Sequence, residues 1–354
     1  MRSSFRLTCT LPLFFLACNV VTDAAMAAGT ANAAKPRDVA TPAYGQRSDV
    51  RAFAAEVAAE TGMDPRALER WLAEARFQPR IVAAMDRPLL VPPKWFEYAP
   101  PFLSAERVEG GVKFWRANAE ALARAEARFG VPPEIIVSII GVETFYGRVT
   151  GSFRVIDALA TLAFDYPRRA PFFRGELKEF VLLAQEQGVS PLSPKGSFAG
   201  AMGLPQFMPG SYRRYAIDFD GDGRTDLWSS PADVIGSVAH YLARHDWLPG
   251  QPVLLPAVVA PEARDSVLRR VDGGISERRP LASWAADGVT PAQMPANLSA
   301  EPIGLLMLEE NASGDAATSL WIACPNFFVI TRYNRSRLYA SAVWALAERI
   351  RAAK

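Results

Sequence analysis

The chain has 354 residues, half of them hydrophobic and 21% charged, with a formal net charge of +2. This suits a globular protein with a packed core, in one large domain or two to three small ones. The near-neutral balance lacks the strong footprint of a nucleic-acid-binding protein, so nucleic acid is excluded as an expected partner.

Arg2 and Arg6 precede an apolar run from Leu11 to Val21, and Ala25-Met26-Ala27 offers a small-x-small cleavage site. Residues 1–27 therefore read as a signal peptide for export to the periplasm. The run is too short to span a bilayer comfortably as a mature helix. Phe15-Leu16-Ala17-Cys18 loosely resembles a lipobox, with Phe15 where Leu is usual, so an outer-membrane lipoprotein anchored through Cys18 is the alternative. Cleavage after Ala27 removes Cys9 and Cys18 and leaves Cys324 alone, which excludes an intramolecular disulfide. Residues 28–48, rich in Ala, Thr, Asn and Pro, read as a flexible linker.

Residues 49–248 carry mainly helical patterns. Periodicity over 50–85 breaks at Gly62-Met63-Asp64-Pro65, where Asp64 before Pro65 signals a helix start. A long helical pattern covers 104–129 and ends at Gly130. Pro132-Pro133 then opens a helix that is apolar nearly all round, with Ile135, Ile136, Val137, Ile139, Ile140 and Val142, and so should be central and buried, ending near Gly147. Helices follow over 154–166 and 171–187. Residues 189–229, dense in Gly, Pro, Ser and Asp, read as structured loops, and Ser230-Pro231 caps a helix to about Arg244. From 249 to 325 short β-like runs such as Val253-Leu254-Leu255 and Leu305-Leu306-Met307-Leu308 mark a β-rich insertion. Residues 326–354 return to the helical core, with periodicity over 335–349. The fold class is α+β, mainly α.

Glu143 shares its helix face with Ile136, Ile139, Ile140, Tyr146 and Gly147, and no Lys or Arg stands three or four residues away. Desolvation without a local counter-charge raises a carboxyl pKa, and a carboxyl protonated at neutral pH serves as a general acid. The competing reading is a buried glutamate satisfied by a distant arginine or backbone donor. The stretch Gly196-Ser197-Phe198-Ala199-Gly200-Ala201-Met202-Gly203-Leu204-Pro205-Gln206-Phe207-Met208-Pro209 mixes small, amide and apolar residues. Such a mixture suits a sugar polymer, although taken alone it is more often a tight loop.

Gly141-Val142-Glu143-Thr144-Phe145-Tyr146-Gly147, the Gly196–Pro209 stretch, the acidic stretch after it and Tyr333-Asn334-Arg335-Ser336 together resemble the membrane-bound lytic murein transglycosylase B family, glycoside hydrolase family 103. The resemblance runs in order from about residue 50 to 350. It implies a lysozyme-like α core with a helical domain and a small β-containing insertion. It implies that Glu143 protonates the glycosidic oxygen between N-acetylmuramic acid and N-acetylglucosamine, and that a 1,6-anhydro ring forms instead of water adding. Ser197, Gln206, Phe207 and Tyr241 match positions lining the family's sugar groove, and Asn334 and Tyr339 match residues returning to the site from the C-terminal end. Leu204-Pro205 and Gly210 depart from the commonest family wording, which bears on subsite detail.

Asp218-Phe219-Asp220-Gly221-Asp222-Gly223 is the front half of an EF-hand loop, with oxygen ligands at positions one, three and five and the turn glycine at six. Arg224 offers a backbone carbonyl, Ser229 stands where a bidentate Glu is expected, and Asp233 is the candidate for the missing carboxylate, with Asp226 a weaker one. The expectation is a structural calcium, the alternative a metal-free turn. No cofactor is expected for catalysis. His240 and His245 are the only histidines, which excludes HExxH zinc chemistry, and His240 reads as a structural helix residue. The expected partner is the peptidoglycan glycan strand, met by a monomer. The alternatives are a hydrolytic muramidase and an inactive peptidoglycan-binding protein.

Overall fold

The computed structural model describes residues 43–87, 92–312 and 318–354. The expected signal peptide, its cleavage site, Cys18 and linker residues 28–42 lie outside them. The last linker residues differ from expectation. Tyr44 is buried in a short 3-10 turn, Tyr44–Gln46, and its hydroxyl donates to Asp165 at 2.7 Å. Arg47 pairs with the same carboxylate at 2.5 Å. A buried aromatic ring and a half-buried ion pair thus anchor the chain before residue 48, which composition alone does not reveal.

The helical part runs α1 (Ser48–Thr61), α2 (Pro65–Ala73), α3 (Pro79–Met85), α4 (Trp95–Tyr98), α5 (Ala105–Ala117), α6 (Ala119–Phe129) and α7 (Pro133–Thr144). It continues through α8 (Val155–Phe164), α9 (Ala170–Glu186), α10 (Pro209–Tyr215) and α11 (Pro231–Arg244). Asp64 caps α2 by accepting the Arg66 amide at 3.0 Å, and Ser230 caps α11 by accepting that of Asp233 at 3.2 Å, as the sequence signals require. The pattern over 104–129 is two helices. Asn118 breaks it at φ −124°, its side-chain amide donating to the Phe114 carbonyl at 2.8 Å. Local side-chain-to-backbone bonding competes with helix continuation there. The expected loop region 189–229 contains one short helix, α10, opened by Pro209 in its first turn.

Every residue of α7 except Glu134 is buried. It packs against α5, α6 and α11, and against α15 (Arg337–Ala353), the last helix. The side chains of α1–α3 belong to the same continuous apolar cluster as α7.

After α11 the chain forms a four-stranded antiparallel sheet in the order β4-β3-β6-β5, from β3 (Leu254–Val259), β4 (Val289–Pro291), β5 (Gly304–Glu309) and β6 (Thr318–Ala323). A two-stranded pair, β1 (Phe153–Arg154) and β2 (Lys195–Gly196), belongs to the helical part. The four-stranded sheet has its own core around Trp284, Val267, Leu305 and Ile322, together with the buried thiol of Cys324. Helices α12 (Arg264–Arg270) and α13 (Leu281–Ala286) cover it. Its β5 end is tied to the helical part. Arg337, opening α15, donates to the Met307 carbonyl at 2.9 Å and pairs with Glu309 at 3.0 Å, while Glu309 also accepts the Trp95 amide at 3.2 Å. The returning segment starts as α14 (Pro325–Tyr333), turns through Asn334–Ser336, and enters α15. This turn brings the C-terminal residues back to the end of α7.

Candidate active site

α7 ends in an uncommon backbone. Phe145, Tyr146 and Gly147 are left-handed in succession, with φ of 52°, 59° and 89°. For residues with a Cβ this conformation is strained and persists only where surroundings impose it. Three constraints impose it here. The Tyr146 ring fills a slot lined by Gly110, Gly111 and Gly141, where a Cβ on Gly141 would stand 2.5 Å from the Tyr146 hydroxyl. That hydroxyl donates to the Arg107 carbonyl at 2.8 Å. The Phe145 ring lies 4.4 Å from each of the guanidinium carbons of Arg107 and Arg148. Buried Arg107 also donates to the Gly141 carbonyl in the last turn of α7, which the Phe145 amide shares.

Glu143 stands two residues before this reversal and is 2% exposed. Its Oε1 accepts a hydrogen bond from the Tyr339 hydroxyl at 2.7 Å, and its Oε2 is buried with no partner. Burial raises its pKa from 4.5 to about 8, against the lowering effect of the Tyr339 bond. At neutral pH the carboxyl is therefore protonated. Arg107 spends its donors on carbonyl oxygens and its charge on aromatic faces, and among the described residues no arginine pairs with Glu143.

Tyr339 stacks at 6.3 Å on Tyr333, whose hydroxyl donates to the Pro205 carbonyl at 2.6 Å. Tyr333 meets Tyr241 edge-on at 4.9 Å and Phe207 at 5.8 Å. Tyr241 in turn donates to the Arg332 carbonyl at 2.7 Å. Three segments distant in sequence, at Phe207, at Tyr241 and at Tyr333–Tyr339, thus connect to Glu143 through aromatic rings. Asn334 follows Tyr333, and its buried Oδ1 also lacks a partner. Among the described residues, these two oxygens are the buried side-chain polar atoms without a hydrogen bond. A buried unsatisfied oxygen is destabilising unless a ligand or water meets it.

Ser197 and Gln206 organise the Gly196–Pro209 loop. Ser197 Oγ accepts the amides of Ala199 and Ala201 at 3.2 and 3.0 Å. Gln206, itself left-handed at φ 52°, donates from its side-chain amide to the carbonyls of Gly203 and Thr150 at 2.9 and 3.2 Å. Thr144 joins this loop to α7, donating to the Leu204 carbonyl at 2.9 Å and accepting the Gly147 amide at 3.1 Å. Sequence reasoning gave no role to Thr144 or Arg107. Thr144 lies beside Glu143 in the motif, whereas Arg107 stands in an ordinary helical pattern that offers no signal.

Among the described residues, one cluster of potential metal-ligating side chains appears, Asp218, Asp220 and Asp222, with ligand atoms within 4.8 Å of one another on an exposed loop. Carboxylates so gathered, with the nearby carbonyl of Arg224, fit a hard cation. Asp233 stands apart from this group. Its Oδ1 accepts the Phe219 amide at 2.7 Å and its Oδ2 the Asp226 amide at 2.8 Å, so it fastens the loop to the first turn of α11. His240 is structural, its Nδ1 donating to the Tyr215 carbonyl at 2.8 Å.

Residues 45–348 match the family described as Transglycosylase SLT domain. The chain is 40% identical over 320 residues to membrane-bound lytic murein transglycosylase B of Escherichia coli, covering 88% of this chain and 85% of that protein. It is similar to the crystal structure of soluble lytic transglycosylase SltB1 from Pseudomonas aeruginosa, with TM-score 0.79, 47% identity, and 86% and 99% of the two chains covered. Two further similar structures are Escherichia coli Slt35 in complex with calcium (TM-score 0.76, 41% identity, 86% and 93% covered) and Pseudomonas aeruginosa SltB3 in complex with NAG-anhNAM-pentapeptide (0.75, 30%, 88% and 80%).

Glu143 makes stability depend on pH in a defined window. Its carboxyl titrates near 4.5 when unfolded and about 8 when folded. Its contribution is complete below the lower value and lost as pH rises to the higher one, by up to about 1.4 kcal/mol per pH unit. The melting temperature of Glu143→Gln relative to the native protein should therefore climb between these two values and level off above about 8. A difference that stays flat across the window contradicts the raised pKa.

Proposed function

From the premise that the chain belongs to the transglycosylase SLT domain family, we infer that it is a lytic transglycosylase cleaving the β-1,4 bond between N-acetylmuramic acid and N-acetylglucosamine in peptidoglycan, with Glu143 as its single acid and base. One observation carries the assignment of the residue. The buried, protonated carboxyl has an oxygen without a partner, and the group bonded to its other oxygen is a tyrosine hydroxyl. Such an acid is available to a substrate oxygen and to little else.

The reaction balances without water. Glu143 gives its proton to the glycosidic oxygen as the bond from that oxygen to the muramic C1 breaks. The resulting carboxylate then takes the proton of the same sugar's C6 hydroxyl, whose oxygen bonds to C1 and closes the 1,6-anhydro ring. The acid is restored in its starting form. Ordinary glycosidases place a second carboxylate across the bond. Here burial and Tyr339 set the protonation of Glu143, and no carboxylate is among the influences on it. Positive charge at C1 is left to the substrate's own N-acetyl group, and ring closure within one bound sugar has a high effective concentration over attack by water. Ser197, Gln206, Phe207, Tyr241, Asn334 and Tyr339 are the proposed substrate-side residues. Asn334 supports this most directly through its unpartnered Oδ1. Ser197 and Gln206 act chiefly by shaping their loop.

Asp218, Asp220, Asp222 and the Arg224 carbonyl are the proposed calcium ligands, with Asp233 fastening the loop that presents them. The metal has a structural role, and catalysis proceeds on the protein's own groups. Among the described residues no helix is long and apolar enough to cross a membrane. The reading places the enzyme in the periplasm, beside its substrate, as an exported monomer.

Glu143→Gln should fold and lose nearly all lytic activity, on the order of the hundredfold or more attributed to general acid catalysis. Mass spectrometry of native digests of sacculi should show anhydro-ended muropeptides, lighter by one water than muramidase products. Mainly reducible ends would make the enzyme a hydrolase, and no products at all an inert binder.

Calcium should raise the melting temperature of the metal-free protein, because a ligand that binds the folded state alone stabilises it. Asp220→Ala combined with Asp222→Ala should remove the shift. A native protein indifferent to millimolar calcium has only a turn at this loop.

A further inference from the structure

A concave surface lies away from Glu143, between the C-terminal end of α9 and the chain following the acidic loop. The cavity measures about 1020 Å³. Thr150 and Gly151 form one end, and Val189, Ser193, Lys195 and Trp228 are among its walls. None of these residues has a role in the chemistry above.

Trp228 is held in a fixed pose. Its indole N–H donates to the Lys195 carbonyl at 3.2 Å, and its ring packs at 5.7 Å on Tyr212, which is buried. With its inner side against Tyr212, the half-buried indole presents the remaining surface to the cavity. A rigid aromatic face flanked by hydroxyls binds the apolar face of a pyranose ring at little entropic loss. The charges beside it are unequal in availability. Glu186 is paired with Arg213 at 2.6 Å, and Asp226 Oδ1 accepts the amides of Trp228 and Ser229 at 2.8 and 2.9 Å. Lys195 is exposed and makes no ion pair among the described residues. This unpaired cation suits a carboxylate.

The cavity adjoins the loop assigned to the substrate. Gln206 donates to the carbonyl of Thr150, and Gly151 sits so close to the backbone of Gly196 and Ser197 that a Cβ there would collide with both. One thickness of backbone separates the cavity's end from the Gly196–Pro209 loop.

We propose that this cavity is a distal saccharide-binding site for the uncleaved continuation of the glycan strand, with a sugar ring on Trp228 and the lactyl carboxylate of a muramic acid unit at Lys195. It rests on the peptidoglycan reading above and adds a second point of attachment for long strands. Two linked contacts raise affinity for a ligand that spans both and do nothing for one that reaches a single site.

The test uses the full chain carrying Glu143→Gln, so that strands bind without being cut. Its ligands are peptide-free strands of alternating N-acetylglucosamine and N-acetylmuramic acid, one short enough for the Glu143 site alone and one long enough to reach Trp228. Calorimetry should give tighter binding of the long strand, a loss of about tenfold for that strand with Trp228→Ala, and no change for the short one. Lys195→Glu, an exposed substitution that leaves the Tyr212 packing intact, should weaken the long strand in the same selective way. Equal affinity for both lengths, or equal weakening of both by both variants, overturns the distal site while leaving the function intact. Binding of neither strand overturns the peptidoglycan reading itself.

Discussion

The structure depends on one desolvated carboxyl. Glu143 occupies the penultimate position of a helix buried on nearly every side, and little water reaches it to stabilise a charge. Its position near a helix C-terminus, where the macrodipole is negative, works in the same direction. The positive charge that could reverse this is near in the chain's packing yet turned elsewhere. Arg107 caps a carbonyl of the same helix and lies against Phe145, and its own pKa is lowered by burial. The helix end is neutralised while the carboxyl is left unpaired. This separates an acid that holds its proton at neutral pH from an ordinary ion pair.

Much of the surrounding architecture keeps that carboxyl in place. The left-handed run Phe145–Gly147 sends the chain back under α7 and lets Thr144 hold the Gly196–Pro209 loop. The turn between α14 and α15 delivers Tyr333, Asn334 and Tyr339 to the same point, and Arg337 fixes the start of α15 to the sheet through Met307 and Glu309. The β-containing insertion therefore has a mechanical part to play. It steadies the helix whose tyrosine touches the acid. Three of the four described non-glycine residues with positive φ, Phe145, Tyr146 and Gln206, lie in these site segments, where strain is held by packing.

The site was legible where chemistry and local pattern coincide. An acidic residue inside an apolar helix, without a cation at helical spacing, announced Glu143 before any packing was known. The resemblance supplied Tyr339 and Asn334; Tyr339 donates its hydroxyl to Glu143, and Asn334 holds a buried oxygen without a partner. Roles that arise only from tertiary packing stayed hidden. Arg107 reads as one more charged residue in an amphipathic helix, and the rings of Phe102 and Phe145 that lie over its guanidinium come from tertiary packing. Asp233 read as a candidate ligand by spacing, which does not show that its side chain is buried and lies outside the carboxylate group formed by Asp218, Asp220 and Asp222. Asn118 and Tyr44 show the same limit in the fold, since a capping amide and a buried ring override composition.

The central claim is that Glu143 is neutral at physiological pH because it is desolvated. Its side-chain carboxyl carbon, selectively labelled and followed by NMR against pH, reports that state directly, with Glu143→Gln identifying the resonance. The account requires the chemical shift of a protonated acid at neutral pH and a midpoint near 8. A carboxylate shift at neutral pH, with a midpoint near the ordinary 4.5, would contradict it.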